Sequence, residues 1–315
     1  MAAEIEIRDN PLDYSVDELD RQYDARARVP DCPSILQAYA EQSAEARRLL
    51  ACERNVPYGP HEDESLDIFP AAGDPGAGHP AAGVRTPVYI FIHGGYWRAL
   101  SKDDSAFMAP AFVKAGATVV AVNYSLAPGA SLHTMVQQCR KALAWIYRHI
   151  GQYNGDPGRL HVSGHSAGGH LAGMLLANDW QDASDVPADV VHSASPVSGL
   201  FDLRPLLPTR VNTWLGLDRT SALALSPVFQ LPRQACPMLL AWGEHESEEF
   251  KRQSHLYGQA WQQRDFPAAL LEVPNTNHFD IMLTLRDPDA VLTREIFTLM
   301  ELPLHLKESP SSVEH

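Results

Sequence analysis

The chain is poor in cysteine and in positive charge, and it has no long apolar run. Its four cysteines, Cys32, Cys52, Cys139 and Cys236, lie far apart without a Cys-x-x-Cys pair. That spacing argues against a disulfide framework and against a zinc ribbon. No uninterrupted apolar stretch is long enough to span a bilayer, and Met1 to Pro30 carries charges throughout without the apolar core of a secretion signal. The expectation is a cytoplasmic protein. Against 39 acidic residues stand only 25 lysines and arginines, for a net charge of −14 with no basic run or stripe. Nucleic acid and anionic membrane are therefore poor partners. A small-molecule substrate is expected, with a homodimer left open.

What is present is a 315-residue chain with a 45% hydrophobic fraction, enough for a sizeable core. Residues 11 to 53 read as helical, with Ser15 and Glu18 spaced as a capping box and a break around Pro30 and Pro33. Val56 to Phe69 suggests an edge hairpin, and Ala71 to Thr86, rich in Gly, Ala and Pro, a surface loop. From Pro87 onward, strand and helix patterns alternate, the signature of a mostly parallel sheet with helices on both faces. Strands are predicted at 88–92, 118–122, before the Gly-x-Ser-x-Gly turn, 190–197, 238–242 and 268–273. Ser101 is expected to cap a helix kinked at Pro110 and stopped by Gly116. Ser131 should cap another, with Leu132, Met135, Val136, Cys139, Leu143, Ile146 and Ile150 on one face and Gly151 closing it. The rhythm lapses between Gly199 and Ala235. The expected organisation is an N-terminal helical segment over 1–55, able to serve as a cap, and an α/β domain over 56–315 with a lid inserted at about 200–235 near the strand C-termini, where open α/β sheets bind ligands.

The centre of the pattern is Leu160 to Leu171, where an apolar run feeds Gly164-His165-Ser166-Ala167-Gly168 and then a helix. This reads as a nucleophile elbow: the glycines permit close backbone approach, Ser166 Oγ is exposed on a tight turn, and the Ala167 N–H sits at a helix start that favours developing negative charge. Acyl transfer by serine also needs a base, an acid to orient it and oxyanion donors. Among the histidines after the sixth strand (His245, His255, His278, His305 and His315), only His278 stands in a loop directly after the last strand. His170 reads as a packing residue and His165 as one that shapes the turn. The acid is sought after the penultimate strand, where Glu246 is the choice and Glu244 the runner-up; Glu248 and Glu249 fit a solvated helix start. His245-Glu246 does not open a zinc motif, because position 249 is Glu where a second His would be required. In His93-Gly94-Gly95-Tyr96-Trp97, the N–H groups of Gly95 and Tyr96 are expected to complete the oxyanion hole. Tyr96, Trp97, Phe201, Trp214 and Phe279 are candidate aromatic walls of a substrate pocket, expected to favour a flat aromatic leaving group.

The motifs His93 to Trp97, Ser101 to Met108, Gly164 to Gly168, Ser198 to Leu203 and His278 to Ile281 resemble the arylformamidase, or kynurenine formamidase, branch of the α/β-hydrolases, near the hormone-sensitive-lipase-like esterases. The likeness runs from about Tyr89 to Ile296. It implies Ser166 as nucleophile, His278 as base and Glu246 in the place of the triad acid, where this family usually has Asp. It implies hydrolysis of N-formylkynurenine, or of aryl esters, without a cofactor. The clustered His/Asp motif of the metal-dependent kynurenine formamidases is absent, and no metal is expected. A short-chain carboxylesterase is the alternative, and a catalytically dead hydrolase fold used as a binding module the second alternative.

Overall fold

The computed structural model describes residues 13–71, 85–178 and 180–304. Residues 72–84 of the expected surface loop, and His305 and His315, lie outside them. Within the described residues the strands are β1 (Glu53–Pro57), β2 (Ser65–Phe69), β3 (Thr86–Ile92), β4 (Thr118–Val122), β5 (Gly155–His165), β6 (Ser193–Val197), β7 (Met238–Gly243) and β8 (Ala268–Val273). They form one sheet in the order β1-β2-β4-β3-β5-β6-β7-β8. β1, β2 and β4 pair antiparallel, and every pair from β4–β3 to β7–β8 is parallel. Every residue of β3, β4, β6 and β7 is buried, which is why β3, β4 and β7 read largely as apolar runs: a parallel sheet is covered on both faces. The hairpin β1–β2 lies at one edge, and half-exposed β8 forms the other.

Three helices precede the sheet, α1 (Val16–Tyr23), α2 (Ala25–Arg28) and α3 (Cys32–Leu49). Ser15 caps α1 by accepting from the Glu18 N–H at 3.2 Å. Pro33 is tolerated in the first turn of α3, where a missing N–H costs nothing. The helices that follow strands are α4 (Ala109–Lys114), α5 (Leu132–His149), α6 (Ala167–Leu175), α9 (Glu248–Gln262) and α11 (Val291–Leu299). Short helices α7 (Asn212–Leu215) and α8 (Arg219–Ala224) lie between β6 and β7, and α10 (Asp280–Leu283) follows β8. On α5 and its C-cap, the seven stripe residues from Leu132 to Ile150 are each at most 1% exposed; each such burial contributes about 1.5–3 kcal/mol for the larger aliphatic side chains.

Three local expectations change. Ser101 caps a single 3-10 turn, Lys102–Asp104, with Asp104 closing the capping box, and α4 starts afresh at Ala109 with Pro110 in its first turn, so there is no kinked helix. The turn is fixed from outside: Asp67 of β2, fully buried, takes Arg47 Nε of α3 at 2.8 Å and Lys102 Nζ at 3.0 Å. After α5 the chain continues through a 3-10 turn that ends at Asn154 with φ +66°, so Asn154 rather than Gly151 supplies the left-handed stop. Glu249 is no solvated helix start. It is 1% exposed, accepts from Tyr23 Oη at 2.5 Å and is held bidentate by Arg252 at 2.7 and 2.8 Å, which locks α1 onto α9.

Candidate active site

β5 ends at His165 and α6 begins at Ala167; Ser166 between them has φ +56° and ψ −115°. A non-glycine residue there is strained and persists only where its surroundings hold it. The Ser166 N–H donates to Val197 O of β6 at 2.9 Å, and Ser166 O accepts from the His170 N–H at 3.0 Å. A Cβ on Gly164 would stand 2.3 Å from Gly168 O, and one on Gly168 would stand 2.0 Å from Ile92 O. Both glycines are required because α6 enters against the ends of β3 and β5.

His278 follows β8 in a turn organised by Asn277, whose Oδ1 accepts from the Phe279 and Asp280 N–H groups at 2.8 and 3.1 Å. Its Nε2 lies 3.0 Å from Ser166 Oγ and its Nδ1 2.8 Å from Glu246 Oε2. With Nδ1–H donating to the carboxylate, Nε2 is left to accept from the serine. The other carboxylate oxygen, Glu246 Oε1, accepts from the Gly243 N–H at 2.7 Å and from Ser198 Oγ at 2.5 Å. Glu244, the alternative acid, is exposed and accepts from the Asn275 N–H at 2.7 Å. Phe250 covers the His278 ring at 4.4 Å between centroids. His165, which also lines the cavity, stands outside the relay: its Nε2–H donates to the His278 carbonyl at 2.7 Å. Burial, with the neighbouring His278 adding to it, holds His165 well below the usual histidine range and hence neutral. His170 is fully buried, accepts from Trp97 Nε1 at 3.3 Å and donates to Leu225 O at 2.7 Å; burial pushes it down to about 4.

Ser166 and His278 open into a cavity of about 490 Å³. Tyr96, Trp214 and Phe279 line it, as does Gly95. Trp97 and Phe201 do not. Trp97 is wholly buried edge-on against His170, and Phe201, equally buried, stacks on Tyr257 at 4.5 Å, so these two rings belong to the core. Gly95 has φ +101°, and a Cβ there would meet Ala99 O at 2.0 Å; Tyr96 and Trp97 follow with φ +52° and +57°. The result is a tight, inward-turned loop after β3. Ala167 is fully buried at the first position of α6, where an N–H has no intrahelical partner.

Sequence reasoning missed two contributions. Ser198, with φ +51°, sits at the end of β6 and reaches the acid; its place directly after a strand was the available signal. The N-terminal helices supply Tyr23, Ala25, Leu36 and Tyr39 to the cavity wall. Tyr39 Oη donates to Phe279 O, and Tyr96 Oη to Tyr23 O, each at 2.5 Å. Nothing local in the sequence pairs these positions. Among the described residues no cluster of three or more His, Cys, Asp or Glu could hold a metal, and no helix is long and apolar enough to cross a membrane. Chemically, the hydroxyl, imidazole and carboxylate are in line to move a proton off Ser166 towards His278 while the carboxylate balances the charge.

The sheet order and the elbow define an α/β-hydrolase. Residues 79–260 match the BD-FAE family model. A kynurenine formamidase from Salmo salar is 35% identical over 91% of this chain and 97% of its own length. Esterase LipQ of Mycobacterium tuberculosis is 31% identical over 76% of this chain and 60% of its own. A structure from Silicibacter sp. TM1040, described as a "putative thioesterase", is 26% identical with a TM-score of 0.74, covering 88% of this chain and 98% of that one. The chain belongs to the BD-FAE family, among the kynurenine formamidase-like α/β-hydrolases, and is a serine hydrolase of the formamidase/esterase type.

Proposed function

We propose that the protein cleaves small acyl groups, formyl above all, from aromatic amines and phenols, with N-formylkynurenine as the specific substrate. The observation that carries this reading is the relay of Ser166, His278 and Glu246 at 3.0 and 2.8 Å opening on a cavity walled by Tyr96, Trp214 and Phe279. His278 Nε2 takes the Ser166 proton as Oγ attacks the acyl carbon. The N–H groups of Gly95, Tyr96 and Ala167 receive the oxyanion, and Glu246 steadies the imidazolium. His278 then gives that proton to the leaving nitrogen or oxygen, releasing the arylamine or phenol and leaving an acyl ester on Ser166. A water, deprotonated by the same imidazole, hydrolyses this ester and frees the acid. An aromatic leaving group gains from rings on the cavity wall, about 0.5–1.5 kcal/mol per good pair, and bulky Tyr96 crowds the acyl side. The helices over 16–49 and the segment 200–235 act as the cap and lid of this site. The four cysteines are free thiols, which supports a reducing, cytoplasmic setting.

The test is kcat/KM for N-formylkynurenine beside acetyl and octanoyl esters of one phenol. N-formylkynurenine is expected to lead and acetyl to exceed octanoyl. A faster octanoyl ester overturns the small-acyl reading. Turnover of acetyl esters without N-formylkynurenine establishes instead a short-chain carboxylesterase; the likeness to LipQ supports an esterase.

A further inference from the structure

On a chain of net charge −14, the active-site cavity is lined by Arg26, Arg98 and Arg210 against Asp20 and Asp24. Arg210 is committed: its guanidinium meets Asp24 at 2.7 Å and Asp20 at 3.8 Å. Arg98 has no carboxylate within ion-pair distance among the described residues. Its guanidinium lies instead 3.9 Å from the centroid of the Trp214 ring. That ring is fixed in turn, because Trp214 Nε1 donates to Tyr96 O at 3.1 Å and the indole stands edge-on to the Tyr96 ring at 6.2 Å. A cation stacked on a tethered aromatic face keeps its in-plane N–H donors free for a bidentate anion. The platform is tethered to Tyr96, the loop residue assigned to the oxyanion, so the cation has a set relation to the reacting carbonyl.

We propose that Arg98, held on Trp214, reads a carboxylate carried on the leaving group, so that the preferred substrates are aryl formamides and aryl esters with an anionic tail. This rests on the formamidase/esterase reading above and narrows it. N-formylkynurenine, an amino acid with a free α-carboxylate, has that chemistry, whereas phenyl acetate and formanilide lack it. Arg26 is a second cavity cation, but nothing comparable to Trp214 holds it.

The experiment compares each acid with its own methyl ester: N-formylkynurenine with its methyl ester, and 3-(acetoxyphenyl)propanoate with its methyl ester. Wild-type enzyme is expected to prefer the acid by about ten-fold in kcat/KM at low salt, the scale of one ionic contact at an open site, with most of the difference in KM. Arg98→Gln and Trp214→Leu should bring that ratio close to one, Arg98→Lys should recover part of it, and 0.5 M NaCl should compress it in the wild type. An acid-to-ester ratio unchanged in Arg98→Gln overturns the proposal. If neither formamide turns over, the formamidase reading fails while the acetyl pair still decides the role of Arg98.

Discussion

Ser198 Oγ donates to Glu246 Oε1 at 2.5 Å, on the carboxylate oxygen that His278 does not use. Together with the Gly243 N–H at 2.7 Å, it leaves Glu246 Oε2 a single direction in which to face the imidazole. Outer partners that orient metal ligands are worth about ten- to a hundred-fold in affinity or activity, and a hydrogen bond that orients this carboxylate is expected at the lower end. Ser198→Ala should lower kcat by about ten-fold with little change in KM. A wild-type rate in this variant would mean that the Gly243 N–H alone orients the acid.

Ser166→Ala should fold normally and lose roughly four to six orders of magnitude in kcat. The same kinetics separate the two glutamates: Glu246→Gln should cost at least about a hundred-fold, because a neutral amide no longer balances an imidazolium, while Glu244→Gln, at an exposed position bonded only to the Asn275 N–H, should stay within a factor of about two. The reverse ranking would move the acid to position 244.

Gly168→Ala places a Cβ 2.0 Å from Ile92 O, a backbone atom of a central strand that cannot swing aside. The expected cost is about 3 kcal/mol or more, beyond ordinary overpacking, read as a lower urea midpoint or loss of soluble protein. Gly216→Ala is the contrast: its φ of +61° strains a side chain, but nothing lies within 4 Å of the added Cβ. About 1–2 kcal/mol is expected there.

Burial pushes His93 and His170 down to about 4 and His161 to about 3, and it holds His165 well below its ordinary range. Their folded values are depressed, so above about pH 6.5 both states are neutral and the stability is fully present. As pH falls below 6.5 the unfolded chain takes protons that the folded chain refuses, and stability is lost down to about pH 4. Each such histidine contributes a slope of at most about 1.4 kcal/mol per pH unit. Urea midpoints measured from pH 7.5 to 4.5 should fall steeply below 6.5, and His170→Asn should show a shallower fall. A midpoint flat to pH 5 would show that these rings reach solvent or protonate in place.

Much of this molecule was legible because its signals are local. The buried strands declare themselves as apolar runs, the stripe from Leu132 to Ile150 has one periodicity, and Gly164 to Gly168 packs strand, turn and helix start into five residues. Even so, local signals put the left-handed stop at Gly151, directly after α5, whereas a 3-10 turn carries the chain on to Asn154, which also tolerates that conformation. The Ser101 signal was a true cap on a much shorter turn than its helical surroundings suggested.

By itself the sequence determined the sheet, the elbow and the loop that bears His278, because each follows from residues within one element or at its end. Only the tertiary structure set Glu246, and not Glu244 two residues before it on the same turn, against His278, because that contact joins segments 32 residues apart and is braced by Ser198, 48 residues away. Only it sent Trp97 and Phe201 into the core and brought Tyr39, 240 residues from Phe279, to the cavity. An aromatic side chain gains by burial wherever it finds a surface that fits, and a carboxylate wherever it finds donors. Those surfaces and donors are made by distant segments, so their position exists only once the chain has folded.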